Sequence, residues 1–375
     1  MIETNYGSIV EKLDQIDPIK YAKNRNFLWG SVTQLSPYVA RGVISTKIIR
    51  ESLLSRGFTD QRCERFFQQL AWRDYFQRTA QIHPNLSRKN IKNDPTHFRG
   101  NDISKSILES DTGIDALDEG IDDLKDHGWV HNHMRMYLAM LHGNVARCHW
   151  HTGARWMYYH LLDADMASND LSWQWVTGAN ANKLYFANQE NINKYCSSKQ
   201  RGTYLDVDYD QFYRFQCPEM LQETTALNLE PSATWIRQFS SEWSIKNPNE
   251  LVLDKGEEVL LYTLNNLDPK WRTQHMGSRI LLLDSIELEE RPMGRNTLEF
   301  ILTLSENLAD NVQIVFGSFD DLAATHPDCT WIFKEHPSQQ YRGVEDSRDW
   351  MYPEVTGYSP SFFGFWKKAM KSIKS

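Results

Sequence analysis

In the first half of the chain, apolar side chains recur every three to four residues. Past residue 256 they come in short unbroken runs. Residues 61–79 place Phe66, Leu70, Tyr75 and Phe76 near helical spacing. Residues 114–124 do the same with Ile114, Leu117, Ile121 and Leu124, and Gly128 follows as a stop signal. Residues 129–141 and 155–162 continue the helical pattern. Residues 197–248 carry Pro218, Pro231 and Pro248 and predict an irregular connector with short helices. The apolar runs at 259–264, 279–284, 312–316 and 330–333 predict short buried strands, with amphipathic segments at 296–308 and 319–326 between the later ones. That alternation is the signature of a parallel α/β unit. No internal repeat or low-complexity segment interrupts the chain.

The expected architecture is therefore mainly α: a helical domain over residues 1–205, a connector over 206–255, and a smaller α/β, Rossmann-like domain over 256–375. A length of 375 residues suits two domains, or one large and one small. No apolar run approaches the ~18 residues of a membrane helix. Residues 1–21 mix acids with apolar residues and lack the core of a signal peptide, which predicts a cytoplasmic, bacterial-type protein. The five cysteines are scattered and form no C-x-x-C pair, which argues against a zinc site and for reduced, mostly buried thiols. The net charge of −8 is unfavourable for a nucleic-acid partner, but it is unevenly spread. Residues 1–205 hold 25 Lys and Arg against 22 Asp and Glu, or +3, so the remainder carries −11. A basic face on the first part is compatible with that count.

The chemistry concentrates in D-A-D-M-A-S-N-D-L-S-W-Q-W, from Asp163 to Trp175. Upstream lie G-W-V-H-N-H-M-R-M (Gly128 to Met136), Q-L-A-W-R-D-Y-F (Gln69 to Phe76) and T-Q-L-S-P-Y-V-A-R-G-V-I-S (Thr33 to Ser45). Alone, T-Q-L-S-P reads as an ordinary helix start, and two acids around an alanine read as a solvated surface. In this order, over about half the chain, the four segments resemble the flavin-binding helical domain of the cryptochrome/photolyase family.

The resemblance implies FAD. It puts Tyr21, Thr33, Gln34, Leu35, Ser36 and Arg73 around the cofactor's phosphates, with Phe66, Gln69 and Asn132 also in contact with it. Arg135 and Asp163 would pair beside the isoalloxazine, a fixed dipole for a ring that becomes anionic on reduction. Asp165 matches the contact to the pyrimidine edge, and Asn169 the position facing N5. Trp173 and Trp150 match the proximal and middle members of a tryptophan electron relay. The distal member would fall in residues 89–111, which contain no tryptophan. Trp156, Tyr158 and Tyr159 are the substitutes, and a plain core role is open for each.

Gln69, Trp72, Asn132, Met136 and Trp175 match the family's lesion pocket, with Trp72 and Trp175 as its aromatic walls. The expected activity is light-driven repair of UV-damaged DNA by a monomeric photolyase splitting cyclobutane pyrimidine dimers, associated with the nucleoid. A cryptochrome-type blue-light receptor and a (6-4) photolyase remain the alternatives. Gln69 stands where many dimer-splitting members have Glu, and Ala187 where some have a DNA-contacting Arg; Lys183, Lys194, Lys199 and Arg201 are the compensating cations. Only Cys196 and Cys217 fall near the region where some relatives bind an iron–sulfur cluster, so no cluster and no metal are expected. The usual members carry an α/β antenna domain before the flavin domain. The C-terminal α/β segment resembles a shortened, relocated version of it, and whether an antenna pigment binds stays open.

Overall fold

The computed structural model describes residues 2–214 and 216–373. The chain divides into two compact units, neither continuous in sequence. The first joins Met1–Ile16, Thr33–Ile82 and Glu230–Ser375; the second joins Asp17–Val32 and His83–Leu229. A linear partition at residues 205 and 255 does not coincide with this division.

The first unit is built on a five-stranded sheet, β1 (Glu258–Tyr262), β2 (Arg279–Asp284), β3 (Val312–Gly317), β4 (Thr330–Lys334) and β5 (Val344–Asp346). All neighbours pair in parallel, in the order β3-β2-β1-β4-β5. Parallel strands are covered on both faces and therefore read as continuous apolar runs. In β2 every residue is buried. Val259, Leu261, Ile280, Leu282, Val315, Trp331 and Phe333 pack together with Phe319 and Leu322 of the helix Phe319–Thr325. The four strands expected from the apolar runs are present. The fifth, V-E-D, is short and polar, as an edge strand often is, and gives no hydrophobic signal.

The α/β segment does not close this unit alone. Arg41 is fully buried, and its Nη1 donates to the Leu264 carbonyl at 3.0 Å. The Leu267 N–H returns a bond to the Arg41 carbonyl at 2.8 Å. Gly42 lies beside them in the left-handed region (φ 68°), where a Cβ would fall 2.5 Å from the Asn265 carbonyl oxygen. The A-R-G motif is thus a backbone-to-backbone seam. On the long helix α1 (Glu64–Ile82), Asp74 is buried, accepting from Thr46 Oγ1 at 3.0 Å and from the Met351 N–H at 2.9 Å. Burial pushes its pKa up, against the pull of Arg348 and Arg73.

The second unit is helical. Residues Asp115–His127 form a helix closed by Gly128 in the left-handed conformation (φ 68°), the stop its sequence predicts. Then come α2 (Asn132–Met140), running into a π-helical turn at Leu141–Val145, α3 (Trp150–His160) and α4 (Met166–Val176). The expected connector carries short helices at Gln211–Arg214, Glu219–Leu221 and Ser232–Phe239. No described helix is long and apolar enough to cross a membrane.

The seam can be tested by contrasting two left-handed glycines. Gly42→Ala adds backbone strain and a clash, and should lower unfolding free energy by ~2–3 kcal/mol or more in denaturant titration. Gly57→Ala, at φ 84° with open space around the new Cβ, should cost only about 1 kcal/mol. Equal losses would mean that the close approach to Asn265 is unimportant.

Candidate flavin site

The expected residues divide between the units. Thr33, Gln34, Leu35, Ser36, Phe66, Gln69, Trp72 and Arg73 lie in the first; Tyr21, Asn132, Arg135, Met136, Trp150, Asp163, Asp165, Asn169, Trp173 and Trp175 lie in the second.

In the second unit, α4 is the organising element. Asp165 caps it, its carboxylate accepting from the Ser168 N–H at 2.8 Å. Two residues earlier, Asp163 accepts from Arg135 Nη2 at 2.9 Å, while Arg135 Nε donates to the Val130 carbonyl. The Asp163 side chain is 4% exposed, and its Oδ1 is buried with no partner among the described residues. A buried carboxylate oxygen is seldom left unmatched, so this atom marks where a polar ligand group can sit. Asn169 is held by two acceptors: its Nδ2 donates to the Ala154 carbonyl and to Asp170 Oδ1, each at 3.0 Å. Both partners only accept, which fixes the amide's orientation. Its Oδ1 is what Asn169 can offer a ligand.

Trp173 is buried at 2% exposure, in an edge-on contact with His142 at 5.6 Å between ring centroids. Its ring rests on Gly153 of α3, where a Cβ would come within 2.5 Å. Trp150, one turn before Gly153 on α3, is buried too, and its indole N–H donates to Asn90 Oδ1 at 2.8 Å. Trp156, Tyr158 and Tyr159 are buried on the same helix. Asn132 is exposed at the start of α2, one turn from Met136, with its Nδ2 3.8 Å from the Met136 sulfur. Trp175 is 42% exposed, its ring 5.9 Å from that of Tyr185. Tyr21 is on the short helix Pro18–Asn24, and burial raises its hydroxyl pKa. His131 and His133, beside Asn132, are both driven toward the neutral form by desolvation, His133 to about 4.

In the first unit, Ser36 and Pro37 start a helix of only five residues, Ser36–Ala40, behind Leu35 at its cap. Gln34 holds a left-handed backbone (φ 53°), an uncommon state for a non-glycine. Phe66 is buried at 2% exposure, Gln69 is half-buried on α1, and Arg73 lines a crevice of about 50 Å³ with Thr46, Asn266 and Arg348. Trp72, expected to present a face to a lesion, stacks one face on Phe362 at 3.9 Å and 9°. Phe362 begins the C-terminal helix α5 (Phe362–Ser372). The aromatic cluster F-F-G-F-W was the available signal for this packing. Nothing in the local sequence pointed to His142, Gly153 or Asn90.

No group of three or more His, Cys, Asp or Glu among the described residues is placed to hold a metal ion. The unmatched Asp163 oxygen, the oriented Asn169 carbonyl and the caged tryptophans fit a polar-edged aromatic cofactor. Residues 66–246 match the family described as the FAD binding domain of DNA photolyase. The deoxyribodipyrimidine photo-lyase of Agrobacterium fabrum is 32% identical over 172 residues, 44% of this chain and 36% of the relative. That of Vibrio cholerae is 32% identical over 240 residues, 61% of this chain and 48% of the relative. A bacterial class III photolyase from Agrobacterium tumefaciens superposes with a TM-score of 0.42 at 22% identity, covering 56% of this chain and 54% of that one. The chain thus spans less than half the length of these curated relatives. Residues 66–246 thus match the FAD-binding domain of the DNA photolyase family, and the cofactor that this match carries is FAD.

Proposed function

We propose that this protein is a light-driven, FAD-dependent photolyase that splits cyclobutane pyrimidine dimers in UV-damaged DNA. The observation that carries the reading is the Arg135–Asp163 ion pair, with one Asp163 oxygen still unmatched, at the entry to the helix bearing Asn169 and Trp173. A part-buried ion pair is weak evidence for stability, and one that leaves a carboxylate oxygen unmatched points to a task. When bound in reduced form, FAD supplies an electron on excitation and takes it back once the cyclobutane ring has opened.

The protein's own residues orient and insulate. Arg135 and Asp163 set a fixed dipole, Asp165 holds the start of α4 in place, and Asn169 presents a carbonyl oxygen, a partner for a ring N–H that cannot itself donate a proton. The left-handed backbone at Gln34, followed by Ser36, is the proposed phosphate turn. Asn132, Met136 and the exposed Trp175 are the proposed lesion contacts. Trp173 and Trp150 are the proposed route by which oxidised flavin is recharged. Against the (6-4) alternative, His133 and His131 are both biased to the neutral form, which is unsuited to a proton donor at neutral pH. The blue-light receptor is the second reading, favoured by one observation: α5 already covers one face of Trp72.

Three outcomes test this. Arg135→Ala strands the buried Asp163 carboxylate, at a cost of about 3 kcal/mol, and Asp163→Ala strands the more exposed guanidinium at a smaller cost. Purified variants should therefore lose most of their FAD, as read from the flavin absorbance per chain; full retention in both would overturn the site. Trp173→Phe should slow photoreduction of oxidised protein at least tenfold yet leave repair by chemically pre-reduced protein intact, and normal photoreduction would mean that electrons enter elsewhere. Finally, the reduced protein should repair dimer-bearing oligonucleotides and not (6-4) ones, at a rate that is flat between about pH 5.5 and 8, because no histidine of normal pKa takes part. A step near pH 6.5, with (6-4) repair, would move that rival ahead; no repair of either lesion would favour the receptor.

A further inference from the structure

The segment that lacks the distal tryptophan supplies something else to the relay. Asn90 Oδ1 accepts the indole N–H of Trp150 at 2.8 Å. The placement is enforced from α4. Gln174, fully buried between the two tryptophans of W-Q-W, donates from Nε2 to the carbonyls of Leu86 (2.7 Å) and Lys89 (3.2 Å). Its Oε1 accepts the Ile91 N–H at 2.9 Å. These three bonds bracket Asn90 and fix its backbone. Its Nδ2 donates to Asp94 Oδ1 at 2.9 Å, so the carbonyl end of the amide must face the indole.

A tryptophan that loses an electron becomes a strongly acidic radical cation. If a base takes the indole proton, the neutral radical left behind traps the oxidised site. A carboxamide oxygen is far too weak a base for that. It instead strengthens its hydrogen bond as charge builds on the ring, because bonds to charged groups are worth about twice those between neutral ones. Trp173 has no acceptor for its N–H among the described residues. The neighbouring His142 donates to the His149 carbonyl and is held neutral by burial, its pKa about 4.

We infer that Asn90 is a positioning residue of the relay: it stabilises an electron vacancy on Trp150 without taking its proton, so the oxidised residue stays a radical cation. The inference rests on the proposed photoreduction route. The balance is one electron from Trp173 to photoexcited oxidised FAD and one from Trp150 to Trp173. The vacancy on Trp150 is then filled by an external thiol or refilled from FAD. No proton leaves the indole.

The test is flash photolysis of the oxidised, FAD-loaded protein with millimolar thiol, following the tryptophan radical by its absorption. Protonated and deprotonated indolyl radicals have distinct bands. The native protein should show the band of the cation and not that of the neutral radical. Asn90→Asp, made with Asp94→Asn so that no second carboxylate opposes the new one, should show the neutral radical with a lifetime at least tenfold longer. Asn90→Leu should lower the Trp150 share of the vacancy by about tenfold. Without light, the Trp150 indole N–H should exchange with solvent faster in Asn90→Leu than in the native protein by NMR, and Asn90→Gln should restore part of the protection. A neutral radical in the native protein, or an unchanged radical in Asn90→Asp, overturns the role of Asn90 while leaving the route standing. If Trp150→Phe leaves the radical unaltered, the route itself fails and Asn90 with it.

Discussion

Buried polar side chains cost stability unless they find partners, and three on α4 do. Asn169, Asp170 and Gln174 are all buried on it. An unpaired buried amide or carboxylate costs ~1–3 kcal/mol or more, so each must be tied to a neighbour. Asn169 ties α4 to α3 at Ala154, and Gln174 ties it to the stretch from Leu86 to Ile91. The same bonds fix the amide that faces the proposed flavin site and the amide that holds Trp150. Ordinary satisfaction of buried polar atoms is therefore what makes the site rigid. Only Ser172 and Trp175 on this helix are exposed, and Trp175 is the residue that the proposal asks to meet DNA.

Small residues complete that arrangement. Gly153 lets the Trp173 ring lie against α3, and the π-helical turn after α2 carries His142 to its edge. A larger residue at 153 would displace the ring, and with it the helix face bearing Asn169. The constraint runs from a missing Cβ, through ring packing, to the orientation of a carbonyl four residues earlier on α4.

Much of this was legible in the sequence, and unevenly so. The strand at 279–284 was readable to the residue, because a strand covered on both faces is apolar throughout. The helix ending at Gly128 was readable because only a left-handed residue closes it without strain. The ion pair of Arg135 and Asp163, 28 residues apart, was expected from motif likeness alone; no periodicity would have supplied it. The two units were not legible. The first unit joins residues 33–82 to the sheet, in part by Arg41 reaching a carbonyl beyond residue 260, and a buried arginine in A-R-G looks like any surface cation in one dimension. Asn90 was equally invisible: its role depends on three bonds from Gln174, whose own pattern signal was only that it sits between two tryptophans.

The bond from Arg41 to Leu264 spans 223 positions, and its seam has a temporal consequence. On a ribosome, the residues of the helical unit all emerge before residue 230, so that unit is complete while translation continues. The unit containing the sheet has no such opportunity. Its early segments, 33–82, with a guanidinium destined for full burial, must stay solvated until the strands near residue 260 arrive. High sequence separation slows closure. The helical unit thus has its chance to mature during synthesis, ahead of the unit whose early and late segments meet only afterwards.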